Sequence, residues 1–309
     1  MSLVFIAPNR DLSAWKRALE QIDPNLEIEI WPDIENKNRV HFCVCWNQPK
    51  HLLDSFPNLK AVSSLGAGID HLLTDDSLPD SVDICRVVSP SLVQQMKEYI
   101  LGAILNIQRN FIRYFQQKNK KIWQTHDHSS ASHWNVGIMG LGELGRPVAE
   151  QLAQVGYQVS GWSRSKKALT NVRSYAGSDE LDSFLNNTQI LVCLLPLTTE
   201  TEGILALDIF KKLKHPAWVI NVARGEHLVN EDLIYALDSS ILQGAWLDVF
   251  SKEPLPNQHP FWNRDNIMIT PHIASVTEPD EVAQQIVDNY KRALSGMPLN
   301  YAVDREKEY

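Results

Sequence analysis

Two spacings of apolar residues alternate along the chain. Runs of β-branched and aromatic residues occupy 3–8 (LVFIAP), 26–32 (LEIEIWP), 40–46 (VHFCVCW), 59–66 (LKAVSSLG) and 84–89 (ICRVVS), with polar helical stretches between them. That alternation predicts a small parallel α/β sheet in the first hundred residues. Ser89-Pro90 then gives a helix start, serine being a favoured N-cap and proline a favoured first helical residue. Val93, Met96, Ile100, Ile104, Ile107, Phe111 and Phe115 follow at steps of three and four, predicting one long helix with a continuous apolar stripe. The stretch Lys118–His133 is polar and reads as a loop or arm. Trp123 stands isolated in it, either as an anchor for a dimer contact or as a local packing residue.

A second alternation begins at Asn135. Strands are predicted at 135–140 (NVGIMG), 157–162 (YQVSGW), 189–196 (QILVCLLP), 217–223 (AWVINVA), 244–250 (GAWLDVF) and 266–273 (NIMITPHI). Six strands in βα order make a doubly wound nucleotide-binding sheet. A helical tail from Glu281 to Gly296 can return to the first sheet, making that domain discontinuous.

Composition narrows the function classes. With 309 residues, 44% hydrophobic and 21% charged, the chain can build two ordinary domains. The formal net charge of −8 argues against general nucleic-acid binding but leaves room for an anionic substrate held by a local arginine. Cys43, Cys45, Cys85 and Cys193 all lie in apolar runs, and the first two alternate onto one sheet face; buried thiols in a reducing compartment are expected, with no disulfide framework or zinc site. LVFIA is too short for a secretory signal and no apolar run approaches about 20 residues, so a cytoplasmic protein without a membrane span is expected. His126-Asp127-His128 reads as a solvated loop, Asp75-Asp76 as a turn or helix start, and no metal site is expected.

The chemistry starts at Gly140-Leu141-Gly142-Glu143-Leu144-Gly145, which follows a strand and opens a helix. Gly140 suits the tight turn, Gly142 lets a pyrophosphate approach the backbone, and Gly145 lets helix and strand pack closely. The helix N-terminus adds free N–H groups for the phosphates. An acid ending the next strand would bind the ribose hydroxyls of NAD; here Ser163, Arg164 and Ser165 stand there, followed by Lys166 and Lys167. A hydroxyl beside a guanidinium suits a 2′-phosphate, so NADP(H) is expected over NAD(H). Ligands bind outside the C-terminal ends of such strands, where Gly140, Ser163, Leu195-Pro196, Val222-Ala223, Arg224, Asp248 and His272 fall. Arg224 can hold a 2-oxo carboxylate and polarise its carbonyl, and His272 can donate a proton as hydride arrives. Glu253 can pair with His272 and keep it protonated near neutrality.

These residues carry a resemblance to the D-2-hydroxyacid dehydrogenase family over nearly the whole chain. The matching segments are LGAGID (65–70), GLGELG (140–145), LLPLTTETEGIL (194–205), NVARGEHLVNEDL (221–233), GAWLDVF (244–250), the 253–254 pair and TPHIAS (270–275). The resemblance implies a Rossmann cofactor domain, 102–279, inserted into a flavodoxin-like substrate domain, 1–101 plus 280–309, both doubly wound. It implies Arg224, Glu253 and His272 as the catalytic set, the backbone at Ala67 and Gly68 as the carboxylate site, and Asp248 near the nicotinamide. GWSRSKK and CWNQP are similar to the glyoxylate/hydroxypyruvate reductase branch, which implies NADPH, Trp46 at the substrate, a small anionic 2-oxo or 2-hydroxy acid as ligand, and a homodimer. The lead-in SASHWN is shorter than the family's usual glycine-containing segment, and with the sequence closing at Tyr309 the regulatory extension of many phosphoglycerate dehydrogenases is not expected. Two other readings stay open: a dehydrogenase for a different 2-hydroxy acid, and a nucleotide-sensing binding protein of the same fold without catalysis.

Overall fold

The structure is a computed structural model that describes residues 1–8 and 10–307. Glu308 and Tyr309, assigned above to the first domain, lie outside the described residues. The chain divides into two units, Met1–Leu92 with Val276–Tyr309, and Val93–Ser275.

The first unit holds β1 (Ser2–Ile6), β2 (Glu27–Ile30), β3 (Val40–Cys45), β4 (Ala61–Ser64) and β5 (Asp83–Cys85). All neighbours pair in parallel in the order β2-β1-β3-β4-β5. This is the flavodoxin-like order, with the strand sequence reversing between β1 and β3. Val4, Ile6, Val40, Cys43, Cys45 and Val62 share one core, so the two alternating cysteines do face the same side. The helix Pro279–Leu294 closes the unit: the Tyr290 ring meets Phe42 edge-on, its hydroxyl donates to the Met1 carbonyl over 2.8 Å, and Lys291 pairs with Asp23.

The second unit holds β6 (Asn135–Met139), β7 (Gln158–Ser163), β8 (Val172–Ala176), β9 (Ile190–Cys193), β10 (Trp218–Asn221), β11 (Gly244–Leu247) and β12 (Ile267–Ile269). These make one parallel sheet of seven strands, β12-β11-β10-β9-β6-β7-β8, the doubly wound nucleotide-binding order. The sequence reading gives six strands, and β8 is the one it lacks. As an edge strand, VRSYA buries only Val172 and Tyr175, with Arg173 exposed, so it has no continuous apolar run. Separate apolar clusters cover the sheet, one including Leu191, Val219 and Phe210, the other Val136, Ile138, Val192 and Val148.

The helix Pro90–Gln108 starts as expected, with the Ser89 hydroxyl accepting from the Leu92 N–H. Met96, Ile100, Ala103, Ile104 and Ile107 pack with Val136 and Ile138, which is why the unit boundary falls at Leu92/Val93 rather than at 101/102. The stripe does not continue through one helix. Asn110 adopts a left-handed conformation, φ 56°, and a second helix, Phe111–Asn119, leaves in a new direction with Phe111 and Phe115 exposed. Asparagine tolerates this conformation without the glycine or proline that would have announced a break. Trp123 beyond it is wholly exposed. Among the described residues no helix is long and apolar enough to cross a membrane. All four cysteines are free and buried; burial pushes the Cys85 and Cys193 thiols up to about 11 and about 12, which keeps them unreactive.

Candidate active site

The glycine loop leaves β6 through Gly140, whose φ of 100° is a left-handed turn that a side chain would strain. Gly145 opens the helix Gly145–Val155 so close to the loop that a Cβ there would lie 1.8 Å from the Gly140 carbonyl oxygen. Gly142 is the opposite case: a Cβ meets nothing within 4 Å. Packing therefore requires glycine at 145, whereas at 142 the protein leaves open space above the backbone. Glu143 and Leu144 complete the turn into the helix. A glycine cradle at a helix N-terminus, whose open face a Cβ at 142 would enter, fits a dinucleotide pyrophosphate.

At the end of β7, Ser163 is buried and its hydroxyl donates to the Ser165 carbonyl over 2.8 Å. Arg164 is half exposed, 3.6 Å from the Glu200 carboxylate. Lys166 donates to Glu180 over 2.7 Å, and the other Glu180 oxygen accepts from the Ala176 N–H. The Lys166 hydrogen bond holds the Glu180 carboxyl below its usual range. The turn after β7 is thus tied to the end of β8, with the Arg164 guanidinium at the surface.

Arg224 follows β10 and is half-buried; its Nη1 donates to the Ala223 carbonyl over 2.7 Å. Two residues overlooked by the sequence reading shape its turn. Asn221 donates to the Arg224 carbonyl and accepts from Ala223 N–H. His227, fully buried, accepts the Arg224 N–H at Nδ1, and its Nε2 lies 3.2 Å from the Pro196 carbonyl, tying this turn to the end of β9. Leu195, Val222 and Ala223 are buried beside it. Gly225 packs against Phe250 and Ser251, where a Cβ would come within 1.9 Å of the Phe250 carbonyl carbon. This contact sets the Arg224 turn against the loop carrying Glu253.

Asp248 is fully buried after β11. Its Oδ1 accepts from the Thr270 hydroxyl, 2.6 Å, and the Ile273 N–H, 2.9 Å; its Oδ2 accepts from the Ala274 N–H, 2.8 Å. Trp246 donates to Tyr99, which is hydrogen-bonded to Thr270. Burial, reinforced by the Asp248 charge, pushes the Tyr99 phenol up to about 12 and keeps it neutral. This network brackets His272. Its own N–H donates to the Asp248 carbonyl, and its φ of 55° is rare for a residue with a side chain. Such a conformation costs of order 1–3 kcal/mol and persists only where the surroundings impose it.

The left-handed turn aims the imidazole at Glu253: Nδ1 lies 2.8 Å from Oε2, while Oε1 accepts from the Phe250 N–H. Burial alone would raise the Glu253 carboxyl. Hydrogen bonds from His272 and Phe250, with the charges of His272 and Arg224, outweigh it and hold the carboxyl below its ordinary value. Glu253 is therefore an anion, and Nδ1 carries the proton in their shared bond. The second unit thus brings Arg224, Glu253 and His272 to neighbouring strand-end loops beside the glycine loop's rim.

In the first unit, Trp46 follows β3, with its ring 5.2 Å from that of His71. Ala67 and Gly68 lie half-buried after β4, in a loop shaped by Ser64, whose hydroxyl donates to the Gly68 carbonyl and accepts from Gly66 N–H. Asp75 is buried in a turn, accepting from Ser77 and the His51 N–H, and His126 packs on Tyr114 and Gln117.

Two parallel sheets of these orders, with a glycine loop, a buried aspartate network and an Arg–Glu–His set on one rim, define a dehydrogenase class. The family model of the D-isomer specific 2-hydroxyacid dehydrogenase NAD-binding domain matches residues 101–274, and the chain belongs to that family. It is 38% identical, over all of both chains, to a glyoxylate/hydroxypyruvate reductase A of Salmonella choleraesuis. It superposes at TM-score 0.94 and 37% identity on a D-isomer specific 2-hydroxyacid dehydrogenase from Xanthobacter autotrophicus solved with NADPH and MES, covering 100% of this chain and 99% of that one. An NADPH-dependent glyoxylate/hydroxypyruvate reductase from Sinorhizobium meliloti, solved with NADP and sulfate, matches at TM-score 0.93 and 34% identity over all of both chains.

Proposed function

We propose that this protein is an NADPH-dependent reductase of small 2-oxo acids, glyoxylate or hydroxypyruvate, yielding the 2-hydroxy acid. The observation that carries this reading is the 2.8 Å contact between His272 Nδ1 and Glu253, on a rim shared with Arg224 and an open glycine loop. Gly140, Gly142, Glu143, Leu144 and Gly145 would hold the pyrophosphate, Ser163, Arg164 and Ser165 the 2′-phosphate, and Leu195, Pro196, Val222 and Ala223 the rim beneath the cofactor. Asp248 serves it through position, since its carboxylate is already occupied by protein donors. The bound nicotinamide supplies the hydride.

The chain's own groups do the rest. Glu253 engages Nδ1, so the transferable proton of His272 is carried on Nε2 and goes to the substrate carbonyl oxygen as the alkoxide develops. The anionic Glu253 offsets the imidazolium before transfer and fixes the ring's orientation. Arg224 binds the carboxylate and polarises the carbonyl. Trp46, Ala67 and Gly68 are assigned to the substrate from the first unit. The wholly exposed Trp123, with exposed Ile122 before it, supports a homodimer contact.

Replacing His272 with Asn keeps a hydrogen-bonding side chain but removes the acid. Turnover should fall about 10²–10⁴-fold while NADPH affinity changes little. Near-normal turnover in His272→Asn would remove His272 from the role of proton donor.

A further inference from the structure

The first unit carries an arginine that the catalytic scheme does not use. Arg10 follows β1, and Trp46 follows β3. The chain leaves β1 for one side of the sheet and β3 for the other, so the crevice between these two strand ends is the topological switch point. Open parallel sheets bind ligands there. At this crevice the Arg10 guanidinium carbon sits over the Trp46 ring, 4.5 Å from its centre.

The indole beneath it is fixed on two more sides. His71 lies 5.2 Å away ring to ring, and Gly66 approaches so closely that a Cβ there would come within 3.0 Å of the indole. Gly66 leads directly into Ala67 and Gly68. Among the described residues Arg10 has no ion pair with any Asp or Glu, although acids outnumber Lys and Arg 37 to 29 in the chain. Stacking over an aromatic face orients a guanidinium while leaving its in-plane N–H fork available, and that fork matches a carboxylate.

We propose that Arg10 is a specificity-determining residue that binds a second carboxylate on the substrate, favouring 2-oxo dicarboxylates over 2-oxo acids with uncharged tails. The proposal rests on the reading of Trp46, Ala67 and Gly68 as the first unit's share of the substrate site. Arg10 does not enter the proton or hydride transfer; it selects by charge at the substrate's far end. A charge with no acidic partner among the described residues suits this task, since only the correct substrate supplies the counter-charge.

The test compares two substrates of equal carbon count, oxaloacetate and 2-oxobutyrate, with glyoxylate as reference, in wild type, Arg10→Met and Arg10→Lys. Inhibition by tartronate and by glycolate is measured alongside. Arg10→Met should lower kcat/KM for oxaloacetate about tenfold or more, a loss in keeping with one charge-assisted hydrogen-bonded pair, and weaken tartronate inhibition to match. Glyoxylate, 2-oxobutyrate and glycolate should stay within about twofold, with Arg10→Lys intermediate. Equal losses on all substrates, or no loss on oxaloacetate and tartronate while glyoxylate is still reduced, would overturn the role of Arg10 alone. Failure of wild type to reduce any of the three acids would overturn the wider reading, and the Arg10 proposal with it.

Discussion

The two parallel sheets end in rims of opposite character. On the second unit's rim the ionisable groups already hold one another: Glu253 engages His272, Asp248 accepts from three protein donors, and His227 clasps the Arg224 turn. On the first unit's rim stand backbone amides, an indole, and an arginine that has no acid partner among the described residues. The difference follows from what each must do. A proton donor has to be charged and aimed before the substrate arrives, which takes fixed partners and a cost in backbone strain. A selecting group gains discrimination by staying unsatisfied until the right ligand comes.

The sharpest test of that contrast lies at the glycine loop. Gly145→Ala forces a Cβ to within 1.8 Å of the Gly140 carbonyl, so the loop must shift; thermal stability should fall by the equivalent of about 1–3 kcal/mol, with loss of NADPH binding. Gly142→Ala meets no protein atom within 4 Å, so its unfolding temperature should stay within about 2 °C while the NADPH Kd rises about tenfold. Calorimetry beside NADPH titration separates the two. Normal NADPH affinity in Gly142→Ala would mean that the open space is not a ligand cradle.

A smaller effect is expected at the cofactor's far end. Arg164→Leu should lower the NADPH-to-NADH ratio of kcat/KM about 10–100-fold, the range of a hydrogen bond to a charged group. A smaller change belongs to Glu253. Its carboxyl titrates low, so its ionised form stabilises the folded protein above the ordinary carboxyl pKa, and this contribution is lost as pH falls through the depressed value. The gap in unfolding temperature between wild type and Glu253→Gln should therefore close as pH falls below about 4. A gap that widens with acid would contradict the ion pair. The smallest change is at Glu200, 3.6 Å from Arg164 and largely exposed. Removing this competitor in Glu200→Gln should tighten NADPH by at most about fivefold, as for a surface pair, and leave NADH unchanged.

Much of this was legible from residue spacing. Apolar runs marked eleven of the twelve strands, and chemistry at the strand ends marked Arg224, His272 and the glycine loop. What escaped had no such signature. β8 sits at the sheet edge, where only Val172 and Tyr175 are buried, and the helix break rests on Asn110, whose left-handed backbone has no sequence marker of its own. Asn221, His227 and Thr270 look like ordinary polar residues in sequence. The burial of Asn221 and His227, and the bonds of all three to the Arg224 turn and the Asp248 loop, emerge only when strand ends are brought together.

The most direct test of the account is oxidation of NADPH and NADH by the wild-type protein across glyoxylate, hydroxypyruvate, pyruvate and bulkier 2-oxo acids. The account predicts reduction of glyoxylate and hydroxypyruvate, with kcat/KM for NADPH at least about tenfold above that for NADH, equivalent to about 1.4 kcal/mol. Comparable efficiency with both cofactors, or no oxidation with any 2-oxo acid, would contradict it.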